Sequence, residues 1–308
     1  MHDQATKLRV LAEANAGRSA TSHAFSKGLG KMGRTGLQDP EHQVSISTPE
    51  KNVSTGSGNF HIRTIAITSG KGGVGKTNIA ANMGLAIASQ NKRVGIIDAD
   101  LGLANIDVLL KLKPRYNVEH VISGEKRLED TFIKGPAGLT IIPASSGRLS
   151  LANLPDIDRD RLIRDLVQST NDFDIMFIDT AAGISNNVVD FALASQEVIV
   201  ITTPEPTAIT DAYAMIKVIS QLKRIDIGIV VNMVDSAQQG KDVAERLIIA
   251  ARRFINAKPY FMGHILADRA VSDAISAQQP LIFKHPESGA ARCINVLANR
   301  IMSNGQHV

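Results

Sequence analysis

The sequence predicts an α/β fold, a mostly parallel sheet flanked by helices, on three observations. From residue 62 onward seven short apolar runs recur, amphipathic stretches separate most of them, and a glycine-rich loop joins the first run to the first such stretch. The runs are "RTIAIT", "RVGIID", "LTIIPA", "DIMFID", "EVIVIT", "DIGIVVN" and "YFMGHI". Each is apolar without strict alternation, the pattern of a strand buried on both faces. Residues 77–90, 157–170, 207–223 and 240–256 are long enough to be crossover helices. Strand and helix alternating in this way give a parallel sheet. Ligands then sit at the carboxyl ends of the strands, where the unusual polar residues of this chain gather.

Composition narrows the classes of function. With 308 residues and 44% hydrophobic content, the chain has material for a sizeable core. No stretch approaches the roughly 20 consecutive apolar residues of a spanning helix, and the polar start lacks the apolar block of a secretory signal. A cytoplasmic protein is expected, with at most peripheral contact at the inner face of the cell membrane. One cysteine, Cys293, excludes an internal disulfide and any metal site built on several thiolates; it reads as a buried small residue. The net charge of +4 is mild and divides evenly about residue 60, so no strongly basic module for nucleic acid stands out.

Residues 14–60 are rich in Gly, Ser, Thr, Asn and His, without sustained apolar periodicity, and read as a flexible tether. Ahead of them, residues 1–13 place Ala5, Leu8, Leu11 and Ala12 on one side of a short helix, which would be marginal alone. Residues 61–308 form the predicted globular domain.

Gly70, Gly75, Lys76 and Thr77 match G-x-x-x-x-G-K-[ST], between the strand "RTIAIT" and an Ala-rich helix. Glycines in such a loop let backbone N–H groups curl around phosphates, and the helix that follows adds its positive end. Lys76 is placed to neutralise β- and γ-phosphates, and the Thr77 hydroxyl to ligate Mg²⁺. The loop as a whole, Gly70, Lys71, Gly72, Gly73, Val74, Gly75, Lys76, Thr77 and Asn78, is the predicted cofactor cradle for ATP or ADP. Asp98 and Asp100 in "GIIDADLGLAN" and Asp179 in "IMFIDTAAG" end apolar strands. Buried and unpaired, each would cost several kcal/mol, so hydrated Mg²⁺ is a candidate partner for all three, with Asp179 reading as the Walker B carboxylate; capping of a following turn is the alternative for each. Gly183 gives the segment after Asp179 freedom to move.

These motifs resemble the MinD/ParA family of deviant Walker A ATPases: "KGGVGKT" with Lys71 carries the family loop, and "DADLGLAN", "IDTAAGI" and "TPEPTAITDAYAMIK" are most similar to its FlhG/FleN branch, regulators of flagellar number and placement. The resemblance covers residues 62–308 and implies a P-loop NTPase of the SIMIBI type. It implies a slow ATPase that works as an ATP-dependent homodimer, with Lys71 reaching the phosphates bound to the other subunit. It also implies that Asp100 orients the attacking water, that Asp98 lies near the metal, that Asn232 contacts adenine, and that Asp268 lies in the loop beside the base. Asn78 departs from the Thr common in relatives. The N-terminal "DQATKLR" resembles the element that activates the partner GTPase FlhF, with Asp3, Gln4, Ala5, Leu8 and Arg9 as the matching positions. Flagellar C-ring components and a flagellar transcriptional regulator are further implied partners.

The last helical run has Ile294, Leu297 and Ile301 at helical spacing, with Arg292 and Arg300 elsewhere. It reads either as a helix docked on the sheet or as a weak amphipathic membrane contact. Two further functions share the loop. A ParA-type DNA-partitioning ATPase would want clustered cations, and Lys223, Arg224, Arg252 and Arg253 are sparse; an iron–sulfur carrier needs cysteines this chain lacks.

Overall fold

The computed structural model describes residues 62–102, 104–145 and 154–303. The tether and the N-terminal element with Asp3, Gln4, Ala5, Leu8 and Arg9 lie outside the described residues. Eight strands form one sheet: β1 (Arg63–Ser69), β2 (Val94–Ala99), β3 (Ile133–Lys134), β4 (Thr140–Ile142), β5 (Ile175–Ala182), β6 (Glu197–Thr202), β7 (Asp226–Val234) and β8 (Tyr260–Leu266). Their order across the sheet is β3-β4-β2-β5-β1-β6-β7-β8. All seven predicted runs are strands, parallel to their neighbours. The two-residue β3, antiparallel to β4, is the addition; it is too short to leave a periodic signal.

Helices cover both faces because the strands are apolar on both. Ile65, Ile67, Ile96 and Phe177 face a layer made by α1 (Lys76–Ala88) and, at the chain's end, by a helix that begins at Gly289. Ala66, Ile97, Met176 and Ile178 face the opposite layer, made by α2 (Asp156–Gln168), α3 (Asn186–Leu193), α4 (Pro206–Leu222) and α5 (Ala237–Ile255). α6 (Arg269–Ser276) and α7 (Gly289–Met302) complete the chain. Helix α1 is apolar nearly all round, as a helix packed between a sheet and a second helix must be. β8 departs from the expectation of full burial: at the sheet's edge, its Tyr260, Phe261, His264 and Leu266 are only partly covered.

The docked reading of the last helix holds. Ile294, Leu297 and Ile301 of α7 are buried among residues of α1, β1 and β8, and Arg63 at the foot of β1 binds the Ile301 carbonyl. Cys293 corrects the sequence reading, being only half-buried. Among the described residues no helix is long and apolar enough to cross a membrane.

Candidate functional site

Five strands, β2, β5, β1, β7 and β8, deliver the predicted site residues to one end of the sheet. Asp98 and Asp179 are register partners on β2 and β5, and Ile67 of β1 is in turn paired with Asp179. The glycine loop follows β1, Asn232 lies late in β7, and Asp268 follows β8. A cavity of about 720 Å³ opens elsewhere, beside Lys223, Arg224 and Lys258 at the amino ends of β7 and β8, and is lined by none of these residues.

Two glycines of the loop are required by space. A Cβ on Gly70 would stand 2.1 Å from the Asp211 carbonyl oxygen, and one on Gly75 would stand 2.6 Å from the Asn232 amide nitrogen. Gly75 also takes φ +93 as it turns into α1, a region open to glycine and costly for other residues. Gly73 is exposed and takes φ +78, a second left-handed turn residue of the loop. Val74 is buried, and its carbonyl accepts a 2.8 Å bond from Asn232 Nδ2. The residue expected at adenine therefore also clamps the loop.

Lys76 is the first residue of α1 and only 9% exposed. Burial lowers its pKa, while Asp179 and Asp100 act in the opposite direction. Asp98 and Asp179 are fully buried. Asp98 accepts from the backbone N–H groups of Asp100, Asn105 and Ile106 at 3.2, 2.9 and 3.1 Å, so its carboxylate organises the 98–106 loop. Burial first, then repulsion from Asp179, raises its pKa. Neither oxygen of Asp179 has a hydrogen-bond partner of normal geometry. Burial raises its pKa most, and Thr77 and Lys76 beside it offset part of that. An orphaned buried carboxylate facing a hydroxyl fits a hydrated Mg²⁺ held by Thr77 and Asp179. Asp98, assigned to the metal from sequence, has most of its capacity committed to backbone donors.

Lys71 does not turn into its own loop. Its Nζ lies 2.5 Å from Glu205 Oε2 and 3.0 Å from Thr207 Oγ1, at the start of α4. Glu205 and Thr207 are the partners that sequence reasoning missed; the available signal was an acid directly before Pro206 at a helix start, where the helix dipole favours negative charge. Asn82 was missed as well. It is fully buried in α1, donates to both the Asn78 carbonyl and the Asn78 side chain, and accepts from Ile282 N. Asn78 thus has an amide partner one turn along α1.

Asp268 caps α6, accepting from Ala270 N at 2.9 Å, and also accepts from Ala290 N at 3.2 Å in α7. The Ala270 bond is the main cause of its lowered pKa. Replacing Asp268 with Ala should therefore remove about 1–2 kcal/mol of stability. Thermal denaturation should show a midpoint lower by a few degrees, roughly 2–8 °C.

A glycine loop between a parallel strand and a helix, with buried switch carboxylates on adjacent strands, defines a P-loop NTPase, whose chemistry uses a nucleoside triphosphate and Mg²⁺. The ParA family model, described as NUBPL iron-transfer P-loop NTPase, matches residues 61–302. The chain is 38% identical to the antiactivator FleN of Pseudomonas aeruginosa over 80% of its own length and 89% of FleN. It is 36% identical to the flagellum site-determining protein YlxH of Helicobacter pylori, over 73% of its own length and 76% of that protein. The septum site-determining protein MinD of Pyrococcus horikoshii, complexed with Mg-ADP, superposes with a TM-score of 0.69 at 23% identity, covering 80% of this chain and 98% of that one; at that identity the likeness speaks for the fold. The chain belongs to the MinD/ParA family of P-loop ATPases, on its FlhG/FleN branch. The sequence holds a single cysteine, Cys293, whereas iron–sulfur clusters are held by several thiolates.

Proposed function

We propose that this chain is an ATP-driven dimerising switch that regulates flagellar number and placement, and that its N-terminal element activates an FlhF-type GTPase. The flagellar assignment is supported by similarity to FleN and YlxH, and the switch by one observation: Lys71 is tied at the start of α4, away from its own phosphate cradle. A lysine so placed is available to a neighbouring subunit, where it acts like an arginine finger. Turnover is then slow in the isolated subunit and faster in the dimer.

In this reading Lys76 and the loop amides hold the phosphates, Thr77 and Asp179 hold Mg²⁺, and Asn232 and Asp268 border the base. The metal supplies neutralisation of charge on the transferring phosphoryl group. Asp100, half-buried beside Lys76 and Asp179, orients the attacking water. Loss of the phosphate is sensed at Asp179 and passes to Gly183, whose φ of +92 marks a glycine-dependent turn.

Counting flagella in cells that lack this protein tests the role. Supernumerary filaments are expected; unchanged filaments together with lost plasmids or chromosomes would assign the chain to DNA partitioning instead. Deleting residues 1–12 should leave basal ATPase activity within about twofold, a change of under 0.5 kcal/mol, and abolish stimulation of the partner GTPase. Stimulation that survives the deletion would remove the N-terminal element from this account.

A further inference from the structure

We propose that the open edge of β8 is a docking groove for an extended acidic peptide of a partner protein, which adds to the sheet as a further strand. β8 is the last strand in the order and pairs only with β7. A register shift interrupts that pairing at Met262, and Arg300 of α7 binds the Met262 carbonyl, which closes this part of the edge. Beyond it, among the described residues, no strand lies on the side of Gly263–Leu266 that faces away from β7. Unpaired edges are usually blunted by charge, bulge or cover. Here the bulge and the arginine treat the Met262 position; a second register shift, between Val231 and Val234 of β7, lies opposite His264–Leu266, and the outer side of Gly263–Leu266 has no strand partner among the described residues.

A groove of about 370 Å³ runs along this edge, between the first turns of α5 and the outer side of α7. Its walls are apolar where Phe261, Val296 and Leu297 line it, and Val296 is 52% exposed. Lys241, Arg292 and Arg300 stand around it, and among the described residues no carboxylate lines it. Lys241 has a 3.9 Å pairing with Glu245 one turn along its own helix, an exposed contact of small energy. Gly263 brings α7 close, since a Cβ there would stand 2.7 Å from Leu297 Cδ2.

The occupant follows from these groups. Main-chain N–H and C=O groups of an extended peptide meet those of β8, and alternate side chains turn to opposite faces. Those directed at α7 meet Val296 and Leu297 between two guanidinium groups; those directed at α5 meet Lys241. Apolar residues alternating with Glu or Asp satisfy both walls, whereas a basic peptide faces three like charges. The groove lies beside β8, at the far side of β7 and β6 from the glycine loop, so occupancy and nucleotide chemistry involve separate residues.

The full chain should be titrated with a fluorescent acetyl-GEVEVEVG-amide, its lysine counterpart GKVKVKVG, and the proline-interrupted GEVEPEVG. The acidic peptide should bind at about 10–100 μM, an affinity of roughly 5.5–7 kcal/mol, and the other two at least about tenfold more weakly. Amide hydrogen exchange at residues 263–266 should slow when it binds. Val296→Glu, at an exposed position, and Lys241→Glu should each weaken binding at least about tenfold with basal ATPase unchanged. Equal binding of all three peptides, or no protection of β8, would overturn the proposal. It would equally be overturned if dodecanoate but no peptide bound in the groove, or if Val296→Glu abolished only self-association of the protein.

Discussion

Replacing Lys76 with Ala is expected to weaken ATP binding by at least about 100-fold, a loss near 3 kcal/mol of the kind that follows removal of one partner from a buried charge pair. The side chain is 9% exposed and enters the same buried pocket as Asp179 and Asp100. Without its ammonium group those carboxylates repel the incoming triphosphate, and the other lysine of the loop, Lys71, is held at Glu205 and Thr207. Isothermal titration with ATP and Mg²⁺ measures the loss, and circular dichroism checks the fold. Affinity within a few-fold of the native protein would remove Lys76 from the binding machinery.

Replacing Lys71 with Ala should leave a different signature. ATP binding to the isolated chain should be nearly unchanged, because the amine faces Glu205 and Thr207. Turnover at concentrations that support dimers should fall by about 1000-fold or more, the lower end of what a finger in trans contributes. Glu205→Gln is the counterpart. The Lys71–Glu205 pair is exposed, so breaking it costs little stability, about 0–1 kcal/mol. Freeing the lysine should let dimers form at ATP-bound protein concentrations lower by up to about fivefold, the factor for that energy, readable by sedimentation. If Lys71→Ala lowered ATP affinity and turnover equally in dilute protein, the amine would act on its own nucleotide, and the dimer reading would fail.

Most of the fold was legible because its signals are local. Seven apolar runs became seven parallel strands, and the four long amphipathic stretches became α1, α2, α4 and α5 within a few residues. The shorter helices α3 and α6 escaped notice because eight residues of mixed polarity give too little periodicity to separate them from loop. The glycine loop was legible for a stronger reason: its residue types, spacing and flanks all answer one chemical demand. Asp98 was only half legible. An acid ending an apolar strand announced a buried carboxylate, but not that backbone N–H groups of residues 100, 105 and 106 would occupy it.

By itself the sequence determined the class of sheet, the phosphate-binding loop and the buried acids near it, since each depends on neighbours in the chain or on a fixed short spacing. Only the tertiary structure decided which groups those residues meet. Lys71 reaches Glu205 across 134 residues, Asn232 reaches Val74 across 158, and Ile282 meets Asn82 across 200. Such contacts arise because strand order in the sheet differs from strand order in the chain, and β1, β6 and β7 become neighbours only once the crossovers have closed.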